Sequence, residues 1–242
     1  MFDTTFFHIY FTKPKQKYNG VLNNTNPRLI YRSYSTGRLT NAQRESFLVS
    51  PDLHEILIGI SLGDLHIRNN PKGKKVNLVF TQGLVNKDYI NHLFELFSSY
   101  SNMKEPKLHE YFDKRTGKIY TSIVFSSYSL PCFNFYHKFF YLDGIKIVPK
   151  NIDQLLTAKG LAYWAQDDGY KYQDDYLFCT ESFTLEEVNL LIKTLKDKFR
   201  LNCGSKKRDT DKYRLYIWKN SMEKFRELVQ PPFHESMLYK LR

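Results

Sequence analysis

The sequence predicts an α+β protein built from two copies of one unit, and three observations carry that prediction. An apolar run with the length of a core helix ends in aspartate twice, as LIGISLGD at 57–64 and LAYWAQDD at 161–168. Behind each run the pattern repeats: strand pair, helix, strand pair, helix, so that each copy reads αββαββα. No Gly/Ser/Pro-rich linker separates the copies. The chain therefore divides into an N-terminal extension (1–38), a first half (39–150) and a second half (151–242), with 42% hydrophobic residues to fill a core.

The opening 38 residues do not read as part of a compact domain. Five aromatics (Phe2, Phe6, Phe7, Tyr10, Phe11) precede a Lys/Asn/Tyr stretch and a basic, hydroxyl-rich string at 28–38. The acid-poor piece at 31–36 fits the end of a mitochondrial presequence. Asp3 and the lack of a basic amphipathic helix fit exon read-through or a flexible basic arm equally well.

From residue 39 each element has a local cause. A short helix at 41–47 leads to Ser50-Pro51-Asp52, an N-cap, an N1 proline and a first-turn acid. Strands at 65–68 and 76–82 alternate across the polar loop 69–75. A helix at 86–100 puts Tyr89, Ile90, Leu93, Leu96 and Phe97 on one face. Strands at 107–112 and 118–126 flank the turn 113–117, and an aromatic helix follows at 130–141. Residues 152–156 bridge to the second half. There Thr157 caps the next apolar helix, strands run over 170–172 and 176–180, and Thr184 with Glu187 forms a capping box for a helix to 199. Strands at 201–206 and 213–218 enclose a basic loop at 207–212, and the last long helix covers 222–229.

Both apolar helices end in acids, where the macrodipole disfavours negative charge. Small residues recur along them, Gly59 and Gly63 in one and Ala158, Ala162 and Ala165 in the other. Such stripes let two helices pack with close backbones. Parallel packing would bring Asp64 and Asp168 side by side, and neighbouring carboxylates repel unless a cation or proton is shared. A divalent metal answers that need. Gly169 is free to end the second helix in a left-handed turn.

LIGISLGDL at 57–65 and LAYWAQDDG at 161–169 resemble the two signature motifs of the LAGLIDADG homing endonucleases, the second in the LAYWxxDDG form of single-chain members encoded in organellar introns. The likeness runs from residue 39 to residue 242. It implies a pseudo-twofold duplicated αββαββα fold with two saddle-shaped antiparallel β-sheets. It also implies a monomeric, Mg2+-dependent nuclease, with Mn2+ as substitute ion. Such an enzyme binds a long asymmetric target in double-stranded DNA and hydrolyses one phosphodiester on each strand across the minor groove. Cohesive 3′ overhangs, a role in intron homing and residence in the mitochondrion, with the chloroplast as alternative, come with the resemblance. The rival reading is a maturase that uses the same scaffold to hold group I intron RNA.

Carried over residue by residue, the resemblance makes Asp64 and Asp168 the metal ligands and the Asp167 side chain a lesser candidate, and the backbone carbonyls of Gly63 and Asp167, exposed at the helix ends, could add oxygen ligands. Gln82 and Glu181 occupy the water- or phosphate-orienting positions. Related proteins often hold glutamine in both, so Glu181 is a departure: a third acid would repel phosphate unless protonated or metal-bound. Lys146 and Lys240 match the lysines that end the two family halves and would steady developing charge.

The formal net charge of +11 favours a polyanionic partner, nucleic acid ahead of a membrane surface. No apolar run is long enough to span a bilayer. The expected binding face carries Arg214, Tyr216 and Trp218 in one half and Lys107, His109 and Tyr111 in the other. Arg68, Lys72, Lys74, Lys75, Lys171, Tyr172, Lys206, Lys207 and Arg208 flank it in strand ends and loops. Cys132, Cys179 and Cys203 are too scattered for a zinc knuckle or disulfide framework. No serine nucleophile elbow, P-loop or dinucleotide fingerprint is present.

Overall fold

The structure, a computed structural model, describes residues 38–70 and 75–242, the side chains of Asn70 and Lys75 excepted. The readings of residues 1–37 and of the loop at 71–74 lie outside the described residues. Thr40 and Gln43 make a capping box for α1 (Asn41–Glu45), which stops two residues short of expectation. Ser50 accepts from the Leu53 N–H to start α2 (Pro51–Leu62). Next come β1 (His66–Asn70), β2 (Lys75–Gly83), α3 (Lys87–Phe97), β3 (Lys107–Asp113) and β4 (Lys118–Ser126). The first repeat closes with α4 (Asn134–Phe140), β5 (Tyr141–Leu142) and β6 (Ile145–Lys146).

The second repeat opens with α5 (Ile152–Leu155), a helical turn where a plain bridge was expected. Thr157 caps α6 (Ala158–Asp168) by accepting from Gly160 N–H. β7 (Gly169–Tyr172), β8 (Asp175–Phe178), α7 (Leu185–Phe199), β9 (Cys203–Asp209), β10 (Lys212–Ile217) and α8 (Met222–Val229) follow, and a 3-10 segment at Glu235–Leu241 ends the chain. The capping box predicted for α7 is present: Glu187 N–H donates to Thr184 and Thr184 N–H to Glu187.

Duplication is plainest in the sheets. One has strand order β1-β2-β4-β3 and the other β7-β8-β10-β9, the same antiparallel topology twice. Between them α2 and α6 pack side by side, with Leu57, Ile58, Leu161 and Trp164 fully buried. Contacts at both ends of the pair, Lys159 with Asp52 and Asp167 with Asp64, show that the helices run parallel. Among the described residues no helix is long and apolar enough to cross a membrane, and the three cysteines are free thiols.

Several local expectations are corrected. Gly169 is extended (φ −95°), not left-handed, because the chain passes directly from α6 into β7. A Cβ there would stand 2.4 Å from the Tyr176 ring and 2.6 Å from the Ala165 carbonyl, and this close approach is what requires glycine. Gly160 of α6 meets Gly59 of α2 backbone to backbone, a small residue absent from the stripe expected on α6. The helix expected at 130–141 is α-helical only over 134–140, since its first turn, Pro131–Phe133, is 3-10, and beyond it Asp143 and Gly144 take positive φ and turn β5 into β6. The strand expected at 176–180 ends at Phe178. The basic loop at 207–212 is mostly strand, since β9 runs to Asp209 and only Thr210 and Asp211 turn.

Histidines knit the helical layer. His92 of α3 bonds the Tyr163 hydroxyl of α6 (2.8 Å) and lies 4.7 Å, ring to ring, from His234. Burial first, then the neighbouring His234, lowers its pKa, against the pull of Glu95. A lowered folded value means the neutral ring stabilises the fold above the unfolded value of about 6.5, a contribution lost as pH falls below it. We expect the melting temperature of His92→Gln, measured against wild type, to rise as pH falls from 7 to 5, because only wild type loses this contribution. A difference that does not change with pH would detach His92 from this contribution.

Candidate active site

The site forms where α2 and α6 end, because their parallel crossing brings both C-termini to one place. Asp64 is exposed there, just past α2, and its backbone N–H donates to Asp167 Oδ2 across the crossing (3.1 Å). The other Asp167 oxygen accepts from the hydroxyl of fully buried Tyr89 (2.9 Å). Asp167 is thus held inward, while Asp64 is exposed and half-buried Asp168 lies close enough to feel the Asp64 charge.

Charge crowding is severe. Burial, then Asp64 and Asp168, push the Asp167 carboxyl well above the usual carboxylate range. Asp168 is pushed up to about 7 by burial first and Asp64 second, while Lys146, Lys240 and Trp164 pull it back. The Trp164 indole N–H is near enough to act on Asp168 but makes no hydrogen bond to it.

Two lysines answer the two helices. Lys146 on β6 donates to the Gly63 carbonyl and, at 3.2 Å, to that of Leu65. Lys240 in the C-terminal 3-10 segment donates to the carbonyls of Gln166 and, at 3.0 Å, of Asp167. Each ammonium thereby caps the last turn of its own repeat's helix, as a cation at a negative dipole end should. Burial lowers both lysine pKa values, and all three aspartates oppose that shift. The Gly63 and Asp167 carbonyls, expected to be open at the helix ends, each accept from lysine.

The two orienting positions differ. Gln82, buried on β2, donates to Asp64 Oδ2 (2.9 Å), and its own oxygen accepts from Asn86 (2.8 Å). A niche of about 10 Å³ beside them is lined by Asp64, Thr81, Gln82 and Asp167, the size of one water. Glu181 makes no such link to Asp168. One of its oxygens accepts from both Arg208 Nη1 and Arg214 Nε, each at 2.5 Å. The expected remedies for this third acid were a proton or a metal; the structure supplies two guanidinium groups.

The remaining sequence-chosen residues lie on the sheets. Arg68, Lys107, His109, Tyr111, Lys171, Tyr172, Lys206, Lys207 and Arg208 are exposed, and Arg214 and Trp218 half-buried. Lys72, Lys74 and the Lys75 side chain are outside the described residues. Tyr216, expected to be presented to a ligand, is only 8% exposed. Lys206 lies over its ring (4.5 Å) and Trp218 stacks beside it (5.5 Å). Sequence reasoning missed Tyr89, which looked like one more residue on an apolar helix face, and Asn86, whose tie to Gln82 needs the turn after β2. A wider groove of about 730 Å³, lined by Asp52, His92, Lys159 and His234, opens at the other end of the crossing and touches none of these carboxylates.

This is the arrangement of a two-motif nuclease, and comparison identifies the family. Residues 54–225 match the model of the LAGLIDADG DNA endonuclease family. The chain belongs to that family. It is 34% identical over 197 residues to probable intron-encoded endonuclease 1 of Wickerhamomyces canadensis, covering 77% of this chain and 82% of that one. It is 33% identical over 193 residues to cytochrome b mRNA maturase bI2 of Debaryomyces hansenii, covering 78% and 73%. Among solved structures, the homing endonuclease I-WcaI bound to its DNA recognition sequence superposes with a TM-score of 0.76 at 30% identity, covering 81% of this chain and 88% of that one. The duplicated α+β fold expected from the motifs is the fold observed, and its class is that of DNA-cleaving hydrolases.

Proposed function

We propose that this protein is a site-specific double-strand DNA endonuclease that lays a long asymmetric duplex along its two sheets and hydrolyses one phosphodiester on each strand, promoting intron homing. The observation that carries the reading is the joining of the two helix ends, where Asp64 of one repeat bonds Asp167 of the other, the Asp64 charge reaches Asp168, and Lys146 and Lys240 cap the same ends. The oxygens gathered there are hard: the carboxylates of Asp64 and Asp168, beside the carbonyls of Gly63 and Asp167 that already accept from Lys146 and Lys240. Among the described residues no group of three or more His, Cys, Asp or Glu is placed to hold a metal. The set suits Mg2+, which binds through one or two carboxylates plus water and phosphate oxygens, with Mn2+ as substitute. When bound, the divalent ion supplies an activated water and neutralises phosphate charge.

The protein's own groups do the rest. Asp64 is oriented from the side chain by Gln82 and from the backbone by Asp167. Lys146 and Lys240 bring positive charge to where a leaving oxygen develops its own. Removing the Gln82 donor leaves Asp64 free to rotate, and loss of such an outer partner typically costs 10–100-fold. We expect Gln82→Ala to lower cleavage by about that factor and to raise the Mg2+ concentration for half-maximal rate; single-turnover kinetics over a Mg2+ series would show it. An unchanged Mg2+ requirement would remove Gln82 from the site.

The direct test is incubation with Mg2+ and DNA of the intronless host gene, alongside Asp168→Asn. Cleavage abolished by the substitution supports the nuclease. The likeness to a cytochrome b maturase favours a second reading, in which the scaffold holds group I intron RNA. Tight intron-RNA binding indifferent to Asp168→Asn, without cleavage, would favour it. Residence in the mitochondrion and action as a monomer complete the proposal.

A further inference from the structure

Glu181 occupies the position matched by Gln82 but does other work. Gln82 touches Asp64, whereas Glu181 touches Arg208 and Arg214 through a single oxygen. Arg214 is held a second time, its Nη1 donating to the Tyr170 hydroxyl (3.0 Å). The side chains of Glu181 and Arg214 are each 17% exposed, and that of Arg208 is 56% exposed. Strand geometry explains the convergence: the register of β9 against β10 slips between Lys212 and Tyr213, leaving Arg208 as the extra residue of a bulge. Bulges re-aim side chains, and this one accompanies the turn of a guanidinium toward Glu181.

A carboxylate that accepts from two guanidinium groups makes the same charge-assisted contacts as a phosphate oxygen. We propose that Glu181 is an internal phosphate mimic: it occupies Arg208 and Arg214 until a DNA backbone displaces it, so that its charge sets affinity and selectivity rather than bond cleavage. This rests on the reading that the second sheet faces DNA. Without a displacing phosphate, the pair and its acid carry a combined charge of +1 instead of +2. Loose, non-target duplex then gains little from the arginines, while a duplex seated by many other contacts places phosphates close enough to compete.

The test is Glu181→Gln, with Arg208→Gln and the double variant, in metal-free buffer so that no strand is cut. Affinity for a target and a non-target duplex is measured over a salt series. Each added phosphate contact steepens the log–log salt slope by about 0.9. We expect Glu181→Gln to bind non-target duplex about tenfold tighter, to narrow the target preference, and to steepen the slope by roughly 1–2. Arg208→Gln placed on top should reverse most of the gain. Equal slopes and affinities for wild type and Glu181→Gln would overturn the proposal, as would weaker binding confined to the target, the mark of a base contact. Unchanged binding with a cleavage rate at saturating DNA reduced tenfold or more would return Glu181 to the chemistry. A wild-type protein whose DNA binding ignores salt would instead overturn the underlying reading of the sheet. Melting curves of the variants separate these outcomes from misfolding.

Discussion

Asp64→Asn and Asp168→Asn should each abolish cleavage of both strands, by at least about 10³-fold or 4 kcal/mol of barrier, while leaving DNA binding intact. Asparagine keeps the shape and one oxygen but removes the charge that a divalent cation needs. Loss on both strands is expected because the carboxylates share one field: Asp64 is the largest charge acting on Asp168, and Lys146 and Lys240 each feel all three aspartates. Binding should persist because Asp64 and Asp168 lie at helix ends, off the strands that carry the basic residues. A strand-resolved gel decides it. A variant that still cuts one strand at the wild-type rate would mean two independent centres, and one that still cuts both would end the assignment.

The same substitution has a stability signature that a surface acid would lack. Asp168 titrates at about 7 in the fold and at about 3.9 in the unfolded chain. A raised folded value means the ionised form opposes folding, so the penalty is absent below about pH 4 and grows as pH rises toward 7. Metal-free Asp168→Asn should therefore melt several degrees above wild type at pH 8 and level with it at pH 4. Active sites commonly trade stability for charge in this way. Equal melting temperatures at pH 8 would mean that Asp168 is solvated and unopposed.

What the sequence made legible here follows from physics that acts locally. Caps at Ser50, Thr157 and Thr184 announce helices in any context, and acids at the wrong end of a helix dipole announce a need for cations. The repeat then doubled each signal. What failed depends on distant partners. Glu181 meets Arg208 and Arg214 only through the register of three strands and one bulge, and no sequence window contains that register. Tyr216 was assigned to a solvent face by alternation, which fixes the side of the sheet but not what lies on it: Lys206, Tyr172 and Trp218 pack around the ring. One miss was avoidable. Asp143-Gly144 is a two-residue hairpin signal, and it stands just past the aromatic run at 130–141.

The crossing of α2 and α6 makes the other large prediction, since the whole site depends on two backbones touching. A Cβ on Gly59 would lie 2.0 Å from the Gly160 carbonyl oxygen and 2.8 Å from its carbon, and neither atom is a side chain that can swing away. Relief requires the helices to separate, which would also pull Asp64 N–H from Asp167 and unpack the buried face of Leu57, Ile58, Leu161 and Trp164. Overpacking in a close-packed core costs about 1–3 kcal/mol, and more where backbone must move. Gly59→Ala should therefore cost about 3 kcal/mol or more, seen as a melting temperature lower by roughly 10 °C, with cleavage lost even below that temperature. Gly83→Ala is the matched control: a Cβ there finds only Val85 Cγ1 at 3.9 Å, and φ is −61°. It should be neutral or slightly stabilising, by up to about 1 kcal/mol through the unfolded chain. Should Gly59→Ala melt like Gly83→Ala, the helices do not meet backbone to backbone, and the Asp64–Asp167 contact would lose the crossing that supports it.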